Sequence, residues 1–126
     1  MLFRSSTRLK IEGPDIAITA DAAQTLGLAF HELATNAMKY GALSVPDGEI
    51  RISWDTDRAS GGASPLQLCW SEHRGPAVAT PDKGGFGTII LNNLVASAVG
   101  GEVAMSYDPD GLRWKVTIPD SHLIVT

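Results

Sequence analysis

Hydrophobic residues recur every three or four positions through the first long segment of the chain, which is the spacing of one face of an α-helix. Four of them share a single stripe on such a helix: Leu26, Phe30, Leu33 and Ala37. Asp21, with Gln24 three residues later, forms a capping-box-like start. Gly41 stands where a left-handed residue could close the helix. The pattern predicts one long helix, from an N-cap at Asp21 to about Tyr40.

The hydrophobic period changes from 3.6 to 2 on either side of this helix, which is typical of strands with one buried face. Two short edge strands are predicted before the helix, at 7–12 and 16–19. Two antiparallel hairpins are predicted after it, and alternating residues mark their strands: Ile50, Ile52 and Trp54; Leu66, Leu68 and Trp70; Val103, Met105 and Tyr107; Leu112, Trp114, Val116 and Ile118.

A glycine- and proline-rich segment without periodicity, residues 73–87, separates the two hairpins and predicts a mobile loop. The loop ends in the sequence GGFGT. A second helix is predicted from about Thr88 to Val99, with Gly100 and Gly101 ending it. Its helical stripe has three members: Ile90, Leu94 and Ala98.

These elements have to share one hydrophobic core. The chain has 126 residues and 44% hydrophobic content, which is enough for one core and too little for two ordinary domains. Hairpins with one apolar face need helices over that face, so we expect a two-layer α/β sandwich. Residues 1–126 are predicted to form a single domain, and the first residues look like a cut through a longer protein.

Charge and cysteine content exclude several classes of protein. Ten basic and fourteen acidic residues give a net charge of −4, which argues against broad nucleic-acid or anionic-membrane binding. The single cysteine, Cys69, cannot form an internal disulfide, and this fits a reducing cytoplasm. No apolar run approaches the roughly 20 residues of a membrane helix, so direct membrane insertion is not expected.

Polar side chains lie beside the apolar stripe of the long helix and are the first candidate site. Glu32, Asn36 and Lys39 would present a carboxylate, an amide and an ammonium on one face. A magnesium-bound polyphosphate needs such oxygen ligands for the ion and a positive charge for the phosphoryl oxygens. The same spacing also occurs on ordinary solvated helix faces, so both interpretations remain open.

Two further segments could bind a ligand. In GGFGT, the backbone N–H groups could wrap an anion at the N-terminus of the second helix, although flexible turns before helices are common. Glu72, in the sequence WSE before Arg74 and Gly75, could accept hydrogen bonds from an exocyclic amine. The alternative for Glu72 is an exposed residue at a strand end.

Several familiar catalytic motifs are absent from the sequence. There is no GxxxxGK[ST] phosphate loop, and His31 and Glu32 lack the second histidine of a zinc protease. Ser71 does not lie in a GxSxG nucleophile elbow. His31 is interpreted as a surface or subunit-contact histidine, and His73 and His122 have no evident role.

Five blocks in order carry a resemblance that covers most of the chain: HELATNAMKYGALS at 31–44, WSE followed by Gly75-Pro76, GFGT, Gly100-Gly101, and the closing strand pair around Asp110-Gly111-Leu112. Together they resemble the catalytic ATP-binding domain of bacterial sensor histidine kinases of the HWE subfamily, in the GHKL superfamily. The resemblance spans about Arg8 to Pro119. It implies the Bergerat fold, a mixed and mostly antiparallel sheet covered on one face by helices, with a flexible lid over ATP.

The resemblance also implies a role for individual residues. Asn36 would ligate the Mg²⁺ ion, Glu32 would support that ion or orient a water, and Lys39 would contact phosphate oxygens. Tyr40 would pack on the adenine ring, and Glu72 would accept a hydrogen bond from its amino group. Four residues would frame the nucleotide from the lid and the second helix: Gly75, Gly85, Gly87 and Thr88.

The implied reaction is transfer of the ATP γ-phosphoryl group to a histidine on a separate helical dimerisation domain, with a response regulator downstream. No histidine precedes His31, so the chain alone is not expected to phosphorylate itself. Two positions depart from the family pattern. Arg74 stands where a second glycine is common and could supply a missing charge, and Ile89 follows Thr88 where a basic residue is common.

Two alternatives keep the same fold. One is a degenerate module that serves as a docking or phosphotransfer scaffold for response regulators. The other is a superfamily ATPase that hydrolyses ATP, in which Glu32 would be the water-orienting base.

Overall fold

The computed structural model describes residues 2–5, 8–56, 65–76 and 85–124, with side chains from residue 8 onwards and, in the second helix, from residue 91. Within these ranges the strands are β1 (Leu2–Ser5), β2 (Leu9–Gly13), β3 (Ala17–Ile18), β4 (Glu49–Thr56), β5 (Leu66–His73), β6 (Glu102–Asp108), β7 (Gly111–Ile118) and β8 (Leu123–Ile124). The helices are α1 (Ala20–Lys39) and α2 (Gly85–Val99), and short 3-10 turns cover Ala42–Ser44 and Asp120–His122.

Six of the strands form one sheet in the order β1-β2-β4-β5-β7-β6, and β3 pairs with β8 in a separate ribbon. All neighbours in the large sheet are antiparallel except β2 and β4, which are parallel. The two helices pack against each other, and their buried residues join the core face of the sheet. The prediction of a mixed, mostly antiparallel sheet covered on one face by helices is confirmed.

Aromatic side chains connect the helical layer to the centre of the sheet. Phe30 of α1 stacks on Trp70 of β5, with ring centroids 6.0 Å apart, and meets Trp114 of β7 edge-on at 6.4 Å. Trp114 is fully buried, and its indole nitrogen donates to Asn92 Oδ1 of α2 at 2.7 Å. Both helices therefore contact β7 through Trp114, and α1 also contacts β5.

The strands before α1 differ from the prediction of two edge strands. β2 is interior, because β1 covers its outer side, and β3 lies outside the main sheet because it pairs with β8 near the other end of the chain. Four-residue and two-residue strands are too short to show a hydrophobic period, so β1 and β8 were not predicted.

The start of α1 also differs from the prediction, whereas its end agrees. Thr19, not Asp21, is the N-cap, and its hydroxyl oxygen accepts from the Ala22 N–H at 3.4 Å. The helix ends at Lys39 with Tyr40 as its C-cap. Gly41 has φ −110 and is not left-handed. A side chain at Gly41 would instead collide with the Glu72 carboxylate, so close approach explains this glycine.

The second helix begins at Gly85, three residues before the predicted Thr88. Its buried side chains include Val95 and Val99, whereas Leu94, a member of the predicted stripe, is 53% exposed. Gly100, with φ 68, ends the helix as expected. The mobile loop predicted at 73–87 is wrong at both ends, because His73 is the last residue of β5 and α2 already starts at Gly85. Residues 77–84 of this loop, and residues 57–64 at the first hairpin tip, lie outside the described residues. No helix in the described part of the chain is long and apolar enough to cross a membrane.

Candidate functional site

The C-terminal half of α1 brings Glu32 and Asn36 together, one helical turn apart. The Asn36 amide nitrogen lies 3.5 Å from Glu32 Oε1, in a hydrogen bond at the long end of the range, and both side chains are half-buried. Lys39 and Tyr40 follow at the helix end and are exposed, Tyr40 by 51%. The structure therefore places a carboxylate and an amide at the edge of the core, with an ammonium and an aromatic ring beside them in solvent.

The oxygen donors of this helix face fit a magnesium ion that takes most of its ligands from phosphate and water. Mg²⁺ in proteins is usually held by one or two side-chain oxygens together with substrate phosphates. Glu32 and Asn36 offer a carboxylate and an amide oxygen at neighbouring positions. Over the described ranges, no group of three or more His, Cys, Asp or Glu side chains could hold a metal ion. An ion at Glu32 and Asn36 would take its remaining ligands from phosphate and water.

Glu72 is buried beneath the end of α1. The alternation of β5 places Trp70 and Glu72 on the core face, and Glu72 is only 3% exposed. Its Oε1 atom accepts from the Ala42 backbone N–H at 2.9 Å, and its Oε2 atom accepts from the Trp70 indole N–H at 3.0 Å. The alternative of an exposed strand-end glutamate is therefore wrong.

Close backbone approaches fix the turn around Glu72. A side chain at Gly75 would come within 2.8 Å of the Ala42 Cα atom, so this glycine lets the end of β5 pass against the turn after α1. Arg8 holds the other side of the turn, because its guanidinium donates to the carbonyl oxygens of Ala42 at 3.2 Å and Val45 at 2.5 Å. Burial, with a smaller contribution from the Glu72 carboxylate, raises the pKa of Tyr107 nearby.

The opposite face of the sheet carries a second buried carboxylate that the sequence analysis did not identify. Glu49 is 1% exposed and pairs with Arg51 at 2.7 Å, with Lys10 at 3.3 Å and with Arg74. Hydrogen bonds from Arg51, and to a lesser extent from Arg74 and Lys10, lower the pKa of Glu49 to about 2, although burial opposes them. Only the pair Glu49 and Arg51, two positions apart on one strand, could have been anticipated from alternation.

Arg74 follows β5 in a left-handed conformation, with φ 57. Glycine adopts this conformation most readily, and the resemblance noted from the sequence implies a glycine at this position. The guanidinium pairs with Glu49 and donates to the Asp47 carbonyl oxygen at 3.3 Å, while the Arg74 backbone N–H donates to Asp110. In the structure the charge of Arg74 is thus committed to Glu49.

Ser71, His73 and Asp110 are joined by short hydrogen bonds on the same face as Glu49. His73 Nε2 lies 2.9 Å from Ser71 Oγ, and His73 Nδ1 lies 2.6 Å from Asp110 Oδ2. The order Ser71, His73, Asp110 is that of the nucleophile, base and acid of a catalytic triad. Ser71, however, lies inside β5, which is paired with β4 on one side and with β7 on the other. His73 therefore holds the turn between β6 and β7 against the end of β5.

His122 also has a structural role that the sequence did not suggest. Its Nδ1 atom lies 3.2 Å from the Thr19 hydroxyl, and its Nε2 atom donates to the Val99 carbonyl oxygen at 2.9 Å. This ring connects the start of α1 to the end of α2. His31, by contrast, is exposed on α1, as expected of a surface histidine.

Gly85, Gly87 and Thr88 form the first turn of α2. The structure describes only their backbone, which is helical, so their predicted contact with phosphates stays a prediction. An apolar cavity of about 310 Å³ lies near the first half of α1, lined by residues including Ile16, Leu26 and Trp54. Its apolar lining does not suit a polyphosphate.

Sequence comparison finds relatives of this chain among bacterial histidine kinases. The chain is 40% identical over 120 residues to blue-light-activated histidine kinase 1 of Erythrobacter litoralis strain HTCC2594, covering 92% of this chain and 31% of the relative. It is 35% identical over 112 residues to a blue-light-activated histidine kinase of Brucella anthropi, covering 89% and 23%. The chain is homologous to the catalytic domain of HWE-type histidine kinases. It spans less than a third of the length of these relatives. No protein-family model matches it.

Solved structures show the same fold for this histidine kinase domain homologue. The histidine kinase domain of the blue-light activated kinase from Erythrobacter litoralis EL346 superposes with a TM-score of 0.65 at 20% identity, covering 94% of this chain and 54% of the other. A nucleotide-free catalytic domain of histidine kinase ThkA gives 0.65 at 16% identity, covering 90% and 78%. The family resemblance and the Bergerat fold are confirmed.

Proposed function

We propose that this domain binds Mg-ATP and donates the γ-phosphoryl group to a histidine on a separate helical dimerisation domain. The observation that carries the proposal is the pairing of Glu32 and Asn36 on α1, one turn before the helix end that covers Glu72. Homology to histidine kinase catalytic domains supports the choice of reaction. By the same homology to bacterial kinases, the proposed setting is the cytoplasm, with a response regulator receiving the phosphoryl group.

Each proposed role uses the side chain's position in the fold. Asn36 and Glu32 would hold the Mg²⁺ ion with their oxygens, and the exposed Lys39 would attract the phosphate oxygens. Tyr40, half exposed at the helix end, would pack its ring on the base. Glu72 would accept from the adenine amino group. Gly75, Gly85, Gly87 and Thr88 would border the nucleotide through their backbone.

The domain has little covalent chemistry to perform in this reaction. Phosphoryl transfer depends mainly on alignment of the attacking atom with the γ-phosphorus and on stabilisation of negative charge. When bound, Mg²⁺ supplies charge neutralisation at the phosphates. Lys39 would add a positive charge there, and the rigid joint between α1 and β5 would fix the position of the base.

A reconstitution experiment tests the proposed transfer. The domain is mixed with γ-labelled ATP, magnesium and a separately purified helical domain that carries the accepting histidine. We expect acid-labile label on the helical domain, strongly reduced in Glu32→Gln and unchanged in Glu12→Gln, whose carboxylate is exposed on β2. Absence of label while ATP is demonstrably bound would contradict the kinase proposal. ATP hydrolysis by the domain alone, abolished in Glu32→Gln, would favour the ATPase alternative.

A further inference from the structure

Two buried N–H groups aim at the two oxygens of one carboxylate. Trp70 and Glu72 are each 3% exposed, and their side chains share the core face of β5. The Trp70 indole N–H donates to Oε2 and the Ala42 backbone N–H donates to Oε1. Each donor is buried, so each needs an acceptor to offset its lost hydration. Glu72 satisfies both because an ionised carboxylate has two acceptor atoms.

An amide of the same size cannot replace this carboxylate. Glutamine offers one acceptor oxygen and one donor NH₂ group, so at position 72 it would turn its donor toward either Trp70 or Ala42. A buried donor facing another donor leaves both without a partner. The Ala42 backbone cannot be removed, and Arg8 holds its carbonyl from the other side. Trp70 is therefore the side chain that holds the orientation of the Glu72 carboxylate.

We infer that Trp70 is a positioning residue that sets base specificity in the proposed nucleotide site, because its indole N–H fixes the orientation of the Glu72 carboxylate. The inference rests on the proposed function. A fixed carboxylate accepts from a purine with an exocyclic amino group and repels one with a carbonyl oxygen at the same position. The site would thus take adenine nucleotides and reject guanine nucleotides through a residue that does not touch the base.

The surroundings of Glu72 agree with such a role. Each carboxylate oxygen can accept more than one hydrogen bond, so an acceptor lone pair remains on each after the two protein donors are satisfied. A side chain at Gly41 would collide with Oε1, so only glycine lets the end of α1 approach the carboxylate this closely.

A nucleotide-selectivity measurement tests the inference on the whole chain. Affinities for non-hydrolysable ATP and GTP analogues with magnesium are compared in the wild type, in Trp70→Phe and in Trp54→Phe. Trp54→Phe is the matched control, because it loses an indole hydrogen bond of 2.7 Å to the Pro14 carbonyl oxygen. We expect Trp70→Phe to lower the ratio of ATP to GTP affinity about tenfold, the size of one hydrogen bond to a charged group. Trp54→Phe should leave that ratio unchanged.

A double-mutant cycle tests the underlying contact without any nucleotide. Glu72→Gln should lower the folding equilibrium constant by about tenfold more in the wild-type background than in Trp70→Phe, where the opposing donor is gone. An equal loss in both backgrounds would overturn the inference. The inference would also be overturned if Trp70→Phe, like the control Trp54→Phe, kept the wild-type ratio of ATP to GTP affinity. A wild-type chain that binds neither analogue would overturn the proposed function and the specificity role with it, even if the cycle shows coupling.

Discussion

Two glutamate carboxylates in this domain are buried away from water. Glu72 and Glu49 are both buried, on opposite faces of the sheet, and each is satisfied in a different way. Glu72 accepts two neutral N–H donors, whereas Glu49 is surrounded by three cationic side chains. Hydrogen bonds from cations stabilise the ionised form, so Glu49 contributes most to stability when it is charged.

The acid dependence of stability should therefore change in Glu49→Gln. The pKa of Glu49 falls from 4.5 to about 2 on folding, so its stabilising contribution is present above pH 4.5 and is lost as the pH falls toward 2. We expect wild-type unfolding free energy, measured by urea titration, to drop across this window. Glu49→Gln should be less stable at pH 7 and show a flatter profile. Glu12→Gln is the exposed control, and a Glu49→Gln profile parallel to the wild type would contradict the assignment.

The hydrogen-bond partners of Glu72 and Glu49 could be predicted from sequence only in part. Trp70 and Glu72 are two positions apart on a strand, so alternation already places them on one face, although it does not show that the indole bonds the carboxylate. Ala42 and Arg74 reach Glu72 and Glu49 across 30 and 25 positions of the chain. Such contacts depend on how the turn after α1 meets the end of β5, which no local pattern specifies.

At the scale of elements, the hydrophobic period identified the buried face of a helix correctly only where the sequence offered a single apolar stripe. In α1, Leu26, Leu33 and Ala37 are buried as predicted, because polar residues flank them. In α2, apolar residues occupy several neighbouring positions, so two stripes one residue apart fit the sequence equally well. Only packing on the sheet selects Val95 over Leu94. Similarly, Thr19 and Asp21 are both good caps, and the ribbon of β3 and β8, which brings His122 to Thr19, favours the earlier one.

The register of α2 can be tested by truncating adjacent residues. Val95 is fully buried and Leu94 is 53% exposed. We expect Val95→Ala to lower the unfolding free energy by about 1 to 3 kcal/mol, because it leaves a cavity. Leu94→Ala removes more atoms but should change stability by only about 0.5 kcal/mol, as exposed substitutions do. Chemical denaturation of the two variants provides the comparison, and a larger loss for Leu94→Ala would show that the buried stripe is the one predicted from sequence.

At the scale of the whole molecule, one end of the sheet gathers the groups of the proposed site. The end of α1, the turn at Ala42 and the end of β5 meet at Glu72, and α2 starts after the segment that follows β5. The layer arrangement and the shared helix face of Glu32 and Asn36 could be predicted from sequence because they depend on helical and strand periods. The joint between α1 and β5 could not, since it is made by backbone groups and by glycines in close approach.

The most direct test of the account is a calorimetric titration of the domain with a non-hydrolysable ATP analogue, with and without magnesium. We expect binding that strengthens with magnesium in the wild type and in Gln24→Ala, which removes an exposed amide from the same helix. Asn36→Ala should lose the magnesium dependence, with affinity in magnesium reduced by about tenfold or more. Undiminished magnesium-dependent binding by Asn36→Ala would contradict the proposal that α1 holds the ion.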